Sequence, residues 1–79
     1  MTTLDKVKTG ELAVIKNINT SPDLKQRLFD IGMLPLTQVK VLHQSPSGNP
    51  RAYLVRGTVI ALRNADATEI FVEVTEADV

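Results

Sequence analysis

The sequence predicts a mainly β domain with one inserted helix, closed into a small, partly open barrel of five strands. Three observations carry this. Only Ser21 to Pro35 has a full set of helix start and stop signals; the remainder alternates short runs of branched residues with Gly, Pro and Asn turns; and 79 residues leave room for one domain, with a core expected at about 11–74.

Met1 to Gly10 is polar, with Leu4 and Val7 as its only internal large apolar residues, and is expected to be a partly ordered loop. Glu11 to Ile18 is rich in branched residues and predicts the first strand. Its alternation is broken: Ala13 and Ile15 share one face, while Leu12, Val14 and Ile18 share the other. A bulge, or burial of both faces, would reconcile the two sets.

The helix follows. Ser21 caps the first free N–H groups, Pro22 suits the first helical position, and Asp23 complements the positive end of the dipole. Gly32 allows a left-handed terminator and Pro35 forbids continuation. Leu24, Leu28 and Ile31 form one apolar side, which predicts that the helix lies on a sheet. Phe29 sits about 140° from Leu24, either at the edge of that stripe or facing a partner.

Thr37 to His43 alternates Val39 and Val41 with Gln38 and Lys40, the clearest strand of the chain. Ser45 to Pro50 holds two prolines and a glycine and predicts a loop. Arg51 to Val55 and Thr58 to Arg63 flank Arg56-Gly57, a hairpin in which Gly57 supplies positive φ. Asn64 to Thr68 is a polar turn, at most one turn of helix, and Glu69 to Val74 is the closing strand. Thr75 to Val79 is an acidic tail. Five short strands with closely spaced turns and one helix point to a barrel of the SH3-like kind.

Composition narrows the function. Nine basic residues balance nine acidic ones, and only two Phe and one Tyr are aromatic. Nucleic-acid and anionic-membrane binders rely on net positive charge, and base-stacking modules on aromatic surface, so neither class is expected. With no cysteine there is no disulfide, thiolate nucleophile or thiolate metal site. No apolar run approaches the roughly 18 residues of a spanning helix, which predicts a cytoplasmic protein without membrane insertion.

Catalytic chemistry is hard to assemble. His43 is the only histidine, and no carboxylate stands at a spacing that marks a triad or metal motif. His43 with Asp30, Asp66 and Glu69 would make a weak, oxygen-rich metal site at best, so no cofactor, no dedicated iron site and no enzymatic activity are expected. Arg27, Arg51, Arg56 and Arg63 are available for insertion into a partner's phosphoryl-transfer site, but Arg27 is better explained by pairing with Asp23 or Asp30, and Arg63 as a structural or rim charge.

Leu24 to Pro35, Val39-Lys40-Val41, Ser45 to Pro50, Val55-Arg56-Gly57, Ala61-Leu62-Arg63 and Ala67 to Val72 resemble, in this order, the ferrous iron transport protein A (FeoA) family, with the match running from about Leu12 to Val74. The resemblance implies an SH3-like barrel with an inserted helix, free in the bacterial cytosol. It also implies an accessory role beside FeoB, the ferrous-iron transporter whose cytosolic part is a GTPase. The fold is similar to the C-terminal module of iron-dependent repressors, which gives the alternative of a free-standing metal-responsive regulatory module.

One position departs from the family pattern. Leu36 stands after Pro35, where the family usually has the glycine of a type II turn. Leucine at positive φ costs roughly 1–2 kcal/mol, so the turn has changed type or Leu36 packs on something. Met33, Leu34 and Leu36 either form an exposed apolar patch or, for Met33 and Leu34, belong to the core. The expected partner-binding surface joins Phe29, Met33, Leu34 and Leu36 to Pro46, Pro50 and Arg51, with Tyr53 nearby. Exposed strand edges also allow weak homo-oligomers.

Overall fold

The computed structural model of the chain describes residues 1–75, so the part of the expected acidic tail beyond Thr75 lies outside the described residues. Six strands build one sheet: β1 (Thr2–Thr3), β2 (Leu12–Ile18), β3 (Gln38–Gln44), β4 (Arg51–Val55), β5 (Thr58–Leu62) and β6 (Ile70–Thr75). Helix α1 (Pro22–Asp30) links β2 to β3, and a single helical turn, α2 (Asn64–Ala67), links β5 to β6. All pairings are antiparallel, and the order β1-β6-β2-β3-β4-β5 leaves β1 and β5 at the two edges.

The sixth strand corrects the expectation for the N-terminus. Thr2 and Thr3 pair with Val72 and Phe71, the chain then makes a 3-10 turn at Leu4–Lys6, and Leu4 and Val7 are fully buried. The core therefore begins well before residue 11. It gathers Ala13, Ile15 and Ile18 of β2, Val39 and Val41 of β3, Tyr53 and Val55 of β4, Leu28 of α1, and Ile70 and Val72 of β6.

The broken alternation of β2 is resolved by a bulge. Ile15 opposes Val72 and Asn17 opposes Phe71, so Lys16 is the extra residue and Ile18 is turned onto the core face with Ala13 and Ile15. A second bulge falls between Val41 and His43, where β3 meets β4.

Helix α1 starts as its residues dictate: Ser21 Oγ accepts from the Leu24 N–H at 3.4 Å, with Pro22 in the first turn. It ends in a Schellman motif. The Gly32 N–H donates to Phe29 O at 3.0 Å and the Met33 N–H to Leu28 O at 2.9 Å, with Gly32 at φ 93°. That reversal changes the buried face. Ile31, expected on the apolar stripe, is exposed, and Met33 takes its place in the core beside Leu28. Among the described residues Arg27 has no ion-pair partner, and Asp30 instead accepts from the Gln26 amide at 2.9 Å.

Candidate functional site

The residues expected to form one surface separate into three places. Met33 and Tyr53 are fully buried and Arg51 is 6% exposed, so none of the three is presented to a partner. For Met33 the reason is the Schellman reversal. For Arg51 and Tyr53 it is the inward side of β4, whose alternate residues Arg51, Tyr53 and Val55 all point into the barrel.

Arg51 is a buried cation held by neutral oxygens. Its Nη1 donates to Val7 O at 2.6 Å, Nη2 to Leu4 O at 2.8 Å, and Nε to the Tyr53 hydroxyl at 3.2 Å. The guanidinium carbon also lies 5.4 Å from the Tyr53 ring centroid. These bonds lock the 3-10 turn to β4. Burial pushes the Tyr53 phenol above its ordinary pKa, against the opposing influence of Arg51. The site is structural, and Arg51 is unavailable to any partner's nucleotide.

Pro46 and Pro50 are exposed on a loop that is closed on itself and tied to α2. Ser45 N–H donates to Pro50 O at 3.1 Å, while Asn64 donates from its backbone to Asn49 Oδ1 and from its amide to Gly48 O, both at 2.9 Å. This loop follows β3, whereas Leu36 precedes it. Seven residues of strand at about 3.3 Å each put roughly 23 Å between them. The two exposed parts of the expected surface therefore lie at opposite ends of the barrel.

The Leu36 end carries the unusual geometry. Thr37 N–H donates to Leu34 O at 3.1 Å and Leu36 sits at φ 71°, so the turn keeps its type II form despite the missing glycine. Leu36 is 75% exposed, so little of its side chain is buried among the described residues to offset the strain. Its backbone is pinned, with the Leu36 N–H on Ile15 O at 2.6 Å and the Ile15 N–H on Thr37 O at 2.9 Å. Leu34 and Phe29 are half-buried, Phe29 packing against the core with Lys25 Nζ over its ring, 5.7 Å from the centroid.

Arg56 completes this end. The β4–β5 hairpin turns through Arg56 at φ 51° and Gly57 at φ 79°, the two positive values of a type I′ turn. A Cβ at Gly32 would come within 2.8 Å of Arg56 Cδ, so the arginine stem lies directly on the terminator of α1. Leu36 and Arg56 are the positive-φ residues other than glycine among the described residues, and the pairing of Val39 with Val55 puts both at one end. Sequence reasoning missed Arg56 as part of this surface; its signal was a tight hairpin with Arg where Asn is usual.

Among the described residues no three His, Cys, Asp or Glu side chains gather in a metal-holding group, and no helix is long and apolar enough to cross a membrane.

Comparison with known proteins gives the same architecture a family. A solved FeoA protein from Chlorobium tepidum is 28% identical, with a TM-score of 0.90 over 96% of this chain and 72% of that one. FeoA of Stenotrophomonas maltophilia, a zinc complex described as a prokaryotic SH3 domain protein, is 25% identical with a TM-score of 0.80, covering 92% of this chain and 91% of that one. A Campylobacter jejuni protein provisionally named Fe(2+) transport protein A is 29% identical over 68 residues, 86% of this chain and 92% of the relative. The fold extends to a manganese-dependent transcriptional repressor at a TM-score of 0.84 and 16% identity, covering 94% of this chain and 41% of the repressor. Residues 2–74 match the FeoA domain, so this mainly β, SH3-like chain belongs to the FeoA family.

Proposed function

We propose that the chain is a cytoplasmic accessory protein of bacterial ferrous iron uptake that docks on the cytosolic part of the transporter FeoB. Leu36 is the central contact, joined by the half-buried Leu34 and Phe29. The family supports the iron-transport role. The observation that supports the surface is Leu36 itself: a large apolar side chain 75% exposed on a backbone that favours glycine. Such strain is found where a site requires the residue. The chain acts by contact and not by chemistry. The repressor likeness, at 16% identity, carries the fold alone and does not favour a metal-responsive module.

The test is titration of the purified chain into the soluble G domain of FeoB and into full-length FeoB in detergent, with GTP and with GDP. Saturable binding to either, weakened at least about ten-fold by Leu36→Asp, is expected. No binding under any of these conditions overturns the proposal. Weak self-association is proposed at β5, an uncharged edge strand of regular register. It predicts a sedimentation coefficient that rises with concentration and ceases to do so in Val59→Lys.

A further inference from the structure

A groove of about 280 Å³ opens on the outer face of the sheet, lined by Leu12, Gln38, Lys40, Leu54, Arg56 and Gly57. Its floor follows from register. Leu12 opposes Lys40, Lys40 opposes Leu54, and Leu54 opposes Val59, so these four side chains stand in one row on the face turned away from the core. Adjacent strands are about 4.8 Å apart, which sets Leu12 and Leu54 roughly 10 Å from each other with the Lys40 stem between them. Leu12, Lys40 and Leu54 are half-buried; Arg56 is exposed at the rim.

Among the described residues the charge in this groove has one sign. Lys40 and Arg56 both border it, no acidic side chain of the described residues lines it, and the ion pair found among them, Lys16 with Glu73 at 3.8 Å, involves neither cation. The volume lies just below the roughly 300–1,000 Å³ of small-molecule sites, room for one or two side chains and too little for a nucleotide. Apolar floor, cationic rim and small size fit a single occupant.

We infer that this groove is a peptide-binding site for an acidic segment of a partner protein, taking an apolar side chain between Leu12 and Leu54 and a neighbouring carboxylate against Lys40 and Arg56. Gln38 supplies an amide to the same segment's backbone. The carboxylate fixes register and the apolar anchor supplies contact area. The site shares Arg56 with the Leu36 end but goes beyond that docking contact, because Leu12, Lys40 and Leu54 lie on the outer face of β2, β3 and β4.

The experiment is an NMR titration of the full isotope-labelled chain with a capped eight-residue peptide in which two glutamates flank two leucines, and with its glutamine counterpart. The glutamate peptide is expected to shift the amides of Leu12, Lys40, Leu54 and Gly57, to weaken as salt rises, and to bind at least about ten-fold more tightly than the glutamine peptide. Lys40→Gln and Arg56→Asn, the latter compatible with positive φ, should each remove most of that difference with thermal midpoints unchanged. Equal affinity for the two peptides, shifts confined to other residues, or no saturable binding of the glutamate peptide at millimolar concentration each overturns the inference.

Discussion

Arg51 and Leu36 lie at opposite ends of β3, the one paired with Gln44 at its last residue, the other in the turn before its first, and each occupies surroundings usual for the other. The arginine is 6% exposed and the leucine 75%. A buried cation persists only when its donors are satisfied, and Arg51 meets that condition with two carbonyls and a phenol. An exposed leucine at positive φ satisfies no such condition within the folded chain. The interior exception is thus explained by folding alone, whereas the surface exception has no comparable compensation among the described residues.

The largest expected effect tests the interior half of that contrast. Arg51→Ala leaves the Leu4 and Val7 carbonyls and the Tyr53 hydroxyl without their donor, and should cost about 3 kcal/mol or more in urea unfolding. Arg51→Lys keeps the charge without the planar fork and should fall between. The loss should be local first: amide exchange in the 3-10 turn and β1 should accelerate before that of β2 and β3. Uniform acceleration throughout the sheet would show that Arg51 is ordinary core and not the clasp of the N-terminal segment.

Tyr53→Phe asks how much of that clasp the phenol carries. It removes the acceptor of Arg51 Nε and should cost about 1–2 kcal/mol. Tyr53 also gives the effect a pH signature. Its pKa is raised in the folded chain, so the folded state holds the proton more tightly than the unfolded state, whose tyrosine titrates near 10. Its contribution is complete below about pH 10 and is lost as pH rises through the folded-state pKa. The stability difference between the parent and Tyr53→Phe should therefore shrink above about pH 10. A difference that stays constant or grows there would place the phenol in a different environment.

Local signals in the sequence were legible. Ser21, Pro22 and Gly32 mark both ends of α1 because capping depends on residues within one turn, and the broken alternation of β2 announced its bulge. What depends on distant partners was not. The N-terminal residues looked like a loop because β1 exists only by pairing with Val72 and Phe71 at the other end of the chain. Arg51 looked like a surface charge because its acceptors, Val7 and Leu4, are 44 and 47 residues away. Met33 was ambiguous until the reversal at Gly32 gave it a direction. The separation of Leu36 from Pro46 was readable, since a regular strand lies between them and a strand keeps its ends apart.

The smallest effect on stability bears most directly on the surface half of the contrast. Leu36→Gly places at φ 71° the residue that tolerates it, removing roughly 1–2 kcal/mol of steric strain. Part of this gain is offset by the greater freedom of glycine in the unfolded chain, about 0.5–1 kcal/mol. Little burial is lost, because the side chain is 75% exposed. The variant should be more stable by about 0.5–1 kcal/mol and should bind FeoB at least about ten-fold more weakly, a combination that separates strain from contact. A gain in stability with unchanged binding would keep the strain and dismiss Leu36 as the contact; a loss of stability would mean that the leucine is held in place by packing within its own chain.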